Sequence, residues 1–202
     1  MALRTPDRGK PQYARILPAP ITAVPAAETK EEAADRPAAA QSAGGRPPKK
    51  AERAQMPNPM RIVIPAIGVD APVISLGLNS DRTLEVPEDF SDTGWFRDGP
   101  EPGERGGAVI VGHVDSKSGP AVFYRLRALE RGDLIKVVLE DKSTVRFAVH
   151  STLAVPKNDF PTDLVYTESG RPALRLITCD GEFDESTGHY LDNYIVFARI
   201  VE

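Results

Sequence analysis

From Met60 onward the chain is a series of short segments rich in β-branched and aromatic residues, each closed by turn residues. One stretch, PAVFYRLRALERGD, has apolar residues at helical spacing, enough for a turn or two of helix. Many short strands with few helices predict a mainly β fold, either a barrel or a sandwich. The predicted strands are Arg61–Pro65, Ala71–Ser75, Thr83–Val86, Ala108–Gly112, Leu134–Glu140, Thr144–Leu153, Leu174–Thr178 and Tyr194–Val201.

Residues 1–58 have a different composition, dominated by Pro, Ala, Lys, Arg and Glu, with almost no aromatic or β-branched periodicity. Such a segment cannot bury enough apolar surface to offset the entropy lost on ordering. We therefore predict a disordered linker or tail over residues 1–58 and one folded domain over residues 59–202.

Charge and composition exclude several classes of function. A net charge of −4 without a basic stripe argues against nucleic acid as a partner. No stretch approaches the roughly 18 apolar residues of a transmembrane helix, and the first 20 residues lack the apolar core of a signal peptide. We expect a soluble chain, which is either cytoplasmic or preceded by an export segment upstream. Because there is a single cysteine, an internal disulfide and a zinc cage of thiolates are excluded, and no cofactor is expected.

Two predicted strands, AVIVG and LRLIT, are apolar nearly throughout, which predicts central positions that are covered on both faces. His113 follows the first and Cys179 the second, so both are predicted at strand ends on the rim of the barrel, where a scaffold presents side chains to solvent. The spacing leaves two interpretations of Cys179. It is either a small buried hydrophobe or a nucleophile.

A cysteine nucleophile needs a cationic neighbour, because only the thiolate attacks carbonyl groups. Three histidines are available. His150 lies inside a predicted strand, which favours a structural or surface role, and His189 belongs to a loop after Cys179. His113 has the strand-end position and follows Gly112, which we expect to be flexible, so the pattern favours His113 as the partner of Cys179.

These residues carry a resemblance to a known family. LITC at the end of one strand and VIVGHVDS at the end of an earlier one resemble the sortases, a family of cysteine transpeptidases. Three ordered stretches are similar to the actinobacterial class F sortases, or the closely related class E: TGWFRDGPEPGERGGAVIVGHVDS, GPAVFYRLRALERGD and LRLITCDGEFDESTGHYLDNYIVFA. The resemblance covers residues 60–202.

The resemblance implies an eight-stranded sortase-type β-barrel and a two-step acyl transfer. Cys179 would attack the threonine carbonyl of an LPxTG-like sorting signal and form a thioester, while His113 would protonate the departing amine. An amine of the cell wall or of a pilin would then take the acyl group, or water would replace it. The implied partners are sorting signals of secreted proteins and that amine acceptor. The resemblance further implies a membrane-tethered enzyme on the outer cell surface, expected to act as a monomer.

The chain departs from the family at the arginine that sortases place on the last strand, where Asn193 stands instead. Arg175 is the predicted substitute, because residues two apart in a strand share a face and Arg175 thus points the same way as Cys179. The alternative interpretation is that Arg175 is a solvated charge on the strand. In that case the Asn193 side-chain amide could donate the hydrogen bond to the oxyanion. Arg125 and Arg97 are the next arginines to consider.

A groove for an apolar peptide is predicted from Val114, Ile177 and the loop Val155–Phe160, while Trp95 is interpreted as a core or rim anchor. Two other functions stay open. In the first, the barrel lacks the arginine of the last strand and binds peptide without turnover. In the second, the chain is a papain-like cysteine hydrolase. The second is disfavoured because His113 precedes Cys179, whereas in papain the histidine follows the cysteine.

Overall fold

The computed structural model describes residues 56–166 and 170–202. The disordered tail predicted over residues 1–58 lies outside these residues except for its last three. Of those, Met56 packs against the barrel core, and the Asn58 carbonyl accepts a hydrogen bond from the Glu140 amide.

The described residues form ten strands, one short α-helix and three 3-10 turns. The strands are β1 (Pro59–Ile64), β2 (Val69–Leu76), β3 (Thr93–Phe96), β4 (Gly106–Gly112), β5 (Asp115–Ser116), β6 (Gly119–Pro120), β7 (Leu134–Leu139), β8 (Thr144–Pro156), β9 (Pro172–Asp184) and β10 (His189–Val201). The helix is α1 (Thr162–Tyr166), and the 3-10 turns are Pro65–Ile67, Leu126–Ala128 and Lys157–Asp159.

Eight of the strands close into a barrel in the order β1-β2-β3-β4-β9-β10-β8-β7, and β7 pairs with β1 to complete it. The pairs β2/β3 and β4/β9 are parallel, and the other barrel pairs are antiparallel. The mainly β fold with little helix that the strand pattern predicted is confirmed, and so is the eight-stranded barrel that the resemblance implied.

The two apolar strands predicted to be central, β4 and β9, are neighbours, and every residue of β4 is buried. Their side chains alternate between two clusters. Ala108, Ile110, Leu174 and Leu176 belong to the cluster inside the barrel. Val109, Val111, Ile177 and Cys179 belong to a second cluster on the outer face, which α1 and the loops before β3 and after β8 cover. Both faces of the pair are therefore filled, as the apolar pattern predicted.

The strand predictions differ from the structure in several places, and the two-residue strands β5 and β6 were also not predicted. Thr83–Val86 was predicted as a strand, but it belongs to a turn that Asn79 closes on Thr83 through hydrogen bonds of the backbone and the side chain, and it holds a single β-bridge, Leu78 to Leu84. The four-residue strand β3 was not predicted, because it is short and contains Gly94. The predicted helix within residues 120–133 is only the 3-10 turn Leu126–Ala128.

The prediction that a strand stops at Cys179 is wrong. Strand β9 continues to Asp184 and forms a long hairpin with β10. The turn-like residues after Cys179 instead form a bulge, because Gly181 has a φ of +79° and the ladder shifts register between Tyr190 and Asp192. The positive φ of Gly181 is a conformation that L side chains rarely adopt, so glycine is favoured there, and a Cβ would also displace the Asp192 carboxylate, whose oxygen would lie 2.4 Å away.

Candidate active site

His113 and Cys179 are brought together by the register of β4 and β9. The parallel ladder runs to the pair Val111–Ile177, and extending its register by two residues aligns His113, just after the end of β4, with Cys179. Val111, Ile177 and Cys179 belong to the outer cluster, so the alternation of side chains places His113 on that same face. The Thr178 hydroxyl of β9 donates to the Gly112 carbonyl at the end of β4, at 2.8 Å, and this hydrogen bond holds the two strands together beside His113 and Cys179.

Both side chains are buried, each only 2% exposed. The expectation that the rim presents them to solvent is therefore wrong. The ring of Phe90, from the loop before β3, lies 4.6 Å from the His113 ring and tilts over it. Val114 and Val155 pack against the outer cluster that contains Cys179.

The tautomer of His113 follows from its hydrogen bond. Its Nε2 lies 2.9 Å from the Pro87 carbonyl oxygen, which can only accept, so Nε2 carries a proton and donates it. In the neutral ring this leaves Nδ1 as the basic nitrogen. His113 can therefore act as a base through Nδ1 while Pro87 holds the ring.

Gly112 serves close packing, in contrast to the flexibility expected from the sequence. A Cβ at this position would lie 2.7 Å from the Phe123 ring and 2.8 Å from a Val122 methyl group. The Phe123 amide also donates to the His113 carbonyl at 2.9 Å. The segment that carries His113 is therefore held against the 121–126 turn.

The thiol of Cys179 lies among charged groups as well as apolar ones. The Lys157 ammonium, in the 3-10 turn after β8, donates to Sγ across 3.6 Å. Burial raises the pKa of the Cys179 thiol, Lys157 lowers it, and the carboxylates of Asp115 and Asp180 raise it. Burial in an apolar pocket and the nearby Lys157 ammonium therefore act on the thiol pKa in opposite directions.

The residue after the thiol is held by an arginine. Arg127 binds both carboxylate oxygens of Asp180, with Nε to Oδ1 at 2.6 Å, and its guanidinium lies 5.2 Å from the centre of the Tyr194 ring. The hydrogen bond with Asp180 raises the pKa of Arg127. This bidentate pair orients β9 beside Cys179.

A second contact ties β10 to the loop that follows His113. The Tyr190 hydroxyl donates to the carboxylate of Asp115. Burial, the hydrogen bond and the charge of Asp115 raise the pKa of Tyr190 to about 12. Tyr190 also packs edge-on against Phe183 across the hairpin, at 5.2 Å between ring centres.

Asn193 is directly opposite Cys179 on β10 and is fully buried. Arg175 shares the outer face of β9 with Cys179, as predicted, but its guanidinium is directed elsewhere. It lies 5.0 Å from the centre of the Phe197 ring, it donates to the Leu174 carbonyl at 3.3 Å, and it packs beside Gly107. Since Gly107 pairs with Ala173, the guanidinium points towards the start of β9, away from Cys179. A contact with the thiol would need another rotamer, and the catalytic role of Arg175 stays a prediction.

The remaining predicted residues lie elsewhere. His150 lines a groove with Arg175 on the outside of the barrel, and its pKa is lowered by burial and by the charges of Arg199 and Arg131. His189 begins β10 and lines a groove with Glu88 and Asp89.

Three further residues from the sequence analysis are not in contact with the Cys179 thiol in any interaction that the structure gives. Arg97 forms an ion pair with Glu85, and Arg125 lines a surface groove beside Tyr124. Trp95 is a core anchor, with its indole N–H donating to the Pro100 carbonyl at 3.1 Å.

Sequence reasoning missed Lys157, Arg127 and the Tyr190–Asp115 contact. The loop VPKNDFP was predicted as a groove wall for its apolar residues, and Val155 and Phe160 do belong to the outer cluster. A lysine in such a loop is ordinarily solvated, so only the tertiary structure shows that it faces the thiol.

Two further properties concern the whole of the described residues. Within residues 56–166 and 170–202 no group of His, Cys, Asp and Glu side chains is arranged to hold a metal ion. In the same part of the chain, no helix has the length and apolar character needed to cross a membrane.

The site thus combines an eight-stranded barrel with a buried cysteine on the strand next to the one that His113 follows. The sequence of residues 62–201 matches the model of the sortase domain, which covers more than half of the chain. The chain therefore belongs to the sortase family, and it is an enzyme of the cysteine transpeptidase type. No curated protein sequence matches it.

Solved structures with the same fold are also sortases. Sortase C-1 from Actinomyces oris is 24% identical, with 72% of this chain and 76% of that chain covered and a TM-score of 0.55. The Group B Streptococcus pilus island 1 sortase C2 is 19% identical, with 71% and 73% covered and a TM-score of 0.55. Sortase A from Corynebacterium diphtheriae is 22% identical, with 74% and 63% covered and a TM-score of 0.55.

Proposed function

We propose that this sortase cleaves an LPxTG-like sorting signal through a thioester on Cys179 and transfers the acyl group to an amine at the cell surface. The observation that supports the proposal is the position of His113 opposite Cys179 on one buried face of the barrel. A base beside a nucleophile, itself oriented by a third group, is the arrangement that nucleophilic acyl transfer requires.

In the first step the thiol proton passes to Nδ1 of His113, and the thiolate attacks the threonine carbonyl carbon. The C–S bond forms and the carbonyl electron pair moves to oxygen. Collapse restores the carbonyl and breaks the C–N bond, while His113 returns its proton to the departing amine. In the second step an acceptor amine attacks the thioester carbon and gives its proton to His113, so that a new C–N bond forms. The C–S bond then breaks, and the departing Cys179 thiolate takes the proton back from His113. Water in place of the amine yields the free acid.

The oxyanion of this reaction needs a donor. Arg175 is the residue proposed from the sequence, with the Asn193 amide as the alternative. Asn193 lies closer to Cys179 along the sheet than Arg175 does, because it is paired directly with Cys179. Mutating each residue separately distinguishes the two roles.

Family membership supports the remaining parts of the proposal. The protein acts as a monomer on the outer face of the cell membrane, on sorting signals of secreted proteins, with a cell-wall or pilin amine as acceptor. The three motif stretches that resemble class F or class E sortases support placement in that group.

The test is a transfer assay with the full chain. A panel of LPxTG-like peptides is incubated with and without an oligoglycine amine, and the products are identified by mass. We expect a ligated product when the amine is present and a slower release of free acid without it. His113→Gln should abolish both, and the matched variant His150→Gln, which changes a half-buried histidine on β8, should retain them. Cleavage that persists in Cys179→Ala, or no cleavage of any peptide, would overturn the proposal.

A further inference from the structure

The environment of the Cys179 thiol disfavours the thiolate that acyl transfer needs. The residue is 2% exposed and belongs to the apolar outer cluster. Two carboxylates, Asp115 from β5 and Asp180 from β9 itself, act on the thiol in the same sense as burial. A compensating positive charge is therefore needed close to sulfur.

Lys157 supplies a positive charge at that point. Its Nζ lies 3.6 Å from Sγ, within the range of an N–H···S hydrogen bond. The position is set by the sheet, because Val155 pairs with Asn193, Asn193 pairs with Cys179, and Lys157 follows Val155 by two residues. The side chain is half-buried, so solvent screens its interaction with sulfur less than at an exposed site.

The neighbouring arginines are engaged with other groups. Arg127 binds the Asp180 carboxylate, and Arg175 lies over Phe197. Among the lysines and arginines in the described parts of the chain, Lys157 is the one for which the structure gives a contact with Sγ. The other titratable groups that face the site are His113 after β4 and Tyr190 from β10.

We propose that Lys157 is a catalytic residue, whose ammonium forms an ion pair with the Cys179 thiolate and stabilises the negative charge as it moves to the substrate oxygen. The proposal deepens the function proposed above and rests on it for the acylation step. The ion pair itself is a property of the free enzyme and can be measured without a peptide.

The electron and proton balance of the step is the one given above, and Lys157 keeps its proton throughout. Before attack the charge lies on sulfur, where Nζ contacts it. When the C–S bond forms, the charge moves to the carbonyl oxygen, which is attached to the carbon bonded to sulfur and stays within a few ångströms of the ammonium. A lysine acts here as a point charge and lacks the planar fork of an arginine.

The direct test uses the single cysteine of the chain, since alkylation by iodoacetamide then reports on Cys179 alone. The alkylation rate is measured against pH for the full chain and for Lys157→Met, which keeps length and removes charge. We expect the midpoint of the profile to rise by about one pH unit and the rate at neutral pH to fall about tenfold. Lys157→Arg should keep most of the wild-type profile.

Two controls separate the effect of the Lys157 charge on the thiol pKa from reagent access to sulfur and from the general effect of replacing a lysine by methionine. The plateau rate at high pH reports how easily the reagent reaches sulfur, and it should stay the same in Lys157→Met. Lys136→Met changes a half-buried lysine on β7, paired with Arg146, and should leave the whole profile unchanged. A midpoint in Lys157→Met equal to that of the wild type would overturn the ion pair.

A second measurement links the ion pair to catalysis. With a cleaved peptide, kcat/KM of Lys157→Met should fall about tenfold at neutral pH and recover as pH rises. A fall in kcat/KM without a change in the alkylation midpoint would reduce Lys157 to a packing residue and overturn the proposal. If the wild type cleaves no peptide, the proposed function fails, while the alkylation profile still decides whether Lys157 and Cys179 form an ion pair.

Discussion

The outer face of β9 has two ends that are similarly buried and differently partnered. At one end Arg175 is 7% exposed, and its guanidinium lies over the Phe197 ring. At the other end Cys179 is 2% exposed, contacts the Lys157 ammonium and lies opposite His113. The two residues belong to one strand and one face, so the difference arises from the neighbouring elements.

At the Arg175 end the neighbours are aromatic and cationic. Burial lowers the pKa of Arg175, the charge of Arg199 lowers it further, and its Nε has no hydrogen-bond partner among the described residues. At the Cys179 end two carboxylates have hydrogen-bond donors: Arg127 binds Asp180, and the Tyr190 hydroxyl donates to Asp115. The comparison shows that burial alone does not make a reactive site. Chemistry requires complementary groups that other strands bring to the same point.

The largest expected effect is the loss of all cleavage and transfer in Cys179→Ala, because no other thiol can replace the nucleophile. Since Cys179 is a small buried side chain, we expect this variant to lose only about 1 kcal/mol of unfolding free energy. Product analysis and urea denaturation measure the two quantities. Residual turnover would assign the nucleophile elsewhere, and a loss of several kcal/mol would make Cys179 a core residue first.

The next effect compares the oxyanion candidates. From the sequence we predict that Arg175→Ala lowers kcat/KM by about a hundredfold or more and Asn193→Ala by much less. Arg175→Lys should recover part of the rate, because the charge remains but the fork is lost. The structure adds that Arg175→Ala should also lower Tm, since the contact with Phe197 disappears.

Steady-state kinetics and thermal denaturation of the same three variants separate the outcomes. The reversed kinetic order would assign the oxyanion role to Asn193. A lower Tm with wild-type kcat/KM would confine Arg175 to packing, and the two ends of β9 would then be fully distinct.

The smallest effect concerns the helix beside the Arg175 end. The Tyr166 hydroxyl of α1 is buried without a hydrogen-bond partner in the described structure, so Tyr166→Phe should raise the unfolding free energy by about 1 kcal/mol. Burial also raises the pKa of Tyr166. The folded state therefore holds its proton where the unfolded state loses it, and the wild type loses stability as pH rises above the usual tyrosine pKa of about 10.

Tyr166→Phe should lack this loss, so the stability difference between the two proteins should widen between about pH 9 and pH 11. Denaturant titrations at several pH values provide the measurement. A difference that stays constant with pH would show that Tyr166 titrates normally in the folded protein.

The strand pattern was sufficient for a mainly β fold and for the central, doubly covered positions of β4 and β9, and the resemblance added the eight-stranded barrel. That β4 and β9 are neighbours, which brings the segments of His113 and Cys179 together, required the structure. The sequence was insufficient where tertiary contacts decide. The residues after Cys179 have turn composition, yet pairing with β10 makes them a bulge inside a long hairpin. A glycine beside His113 suggested a hinge. Its actual role is close packing against Phe123, which lies in a different segment of the sequence and cannot be identified from the residues around Gly112.

The charged residues of the site were the hardest to predict. A strand face can be read from alternation, so Arg175 was placed on the correct face, but the rotamer of a long side chain is set by neighbours such as Phe197. Lys157 was missed for the same reason. Its loop has no periodicity, and only its pairing through Val155 and Asn193 brings it to the thiol.

The central claim, that Cys179 forms a thioester with the sorting signal, is tested most directly by the mass of the intact protein. The full chain is mixed with an LPxTG-like peptide without an acceptor amine, quenched in acid and analysed by mass spectrometry. We predict an added mass equal to the peptide fragment that ends in threonine less one water. The adduct should be located by digestion on the fragment that contains Cys179 and removed by hydroxylamine. Cleavage of the peptide without such an adduct, or an adduct that persists in Cys179→Ala, would contradict the account.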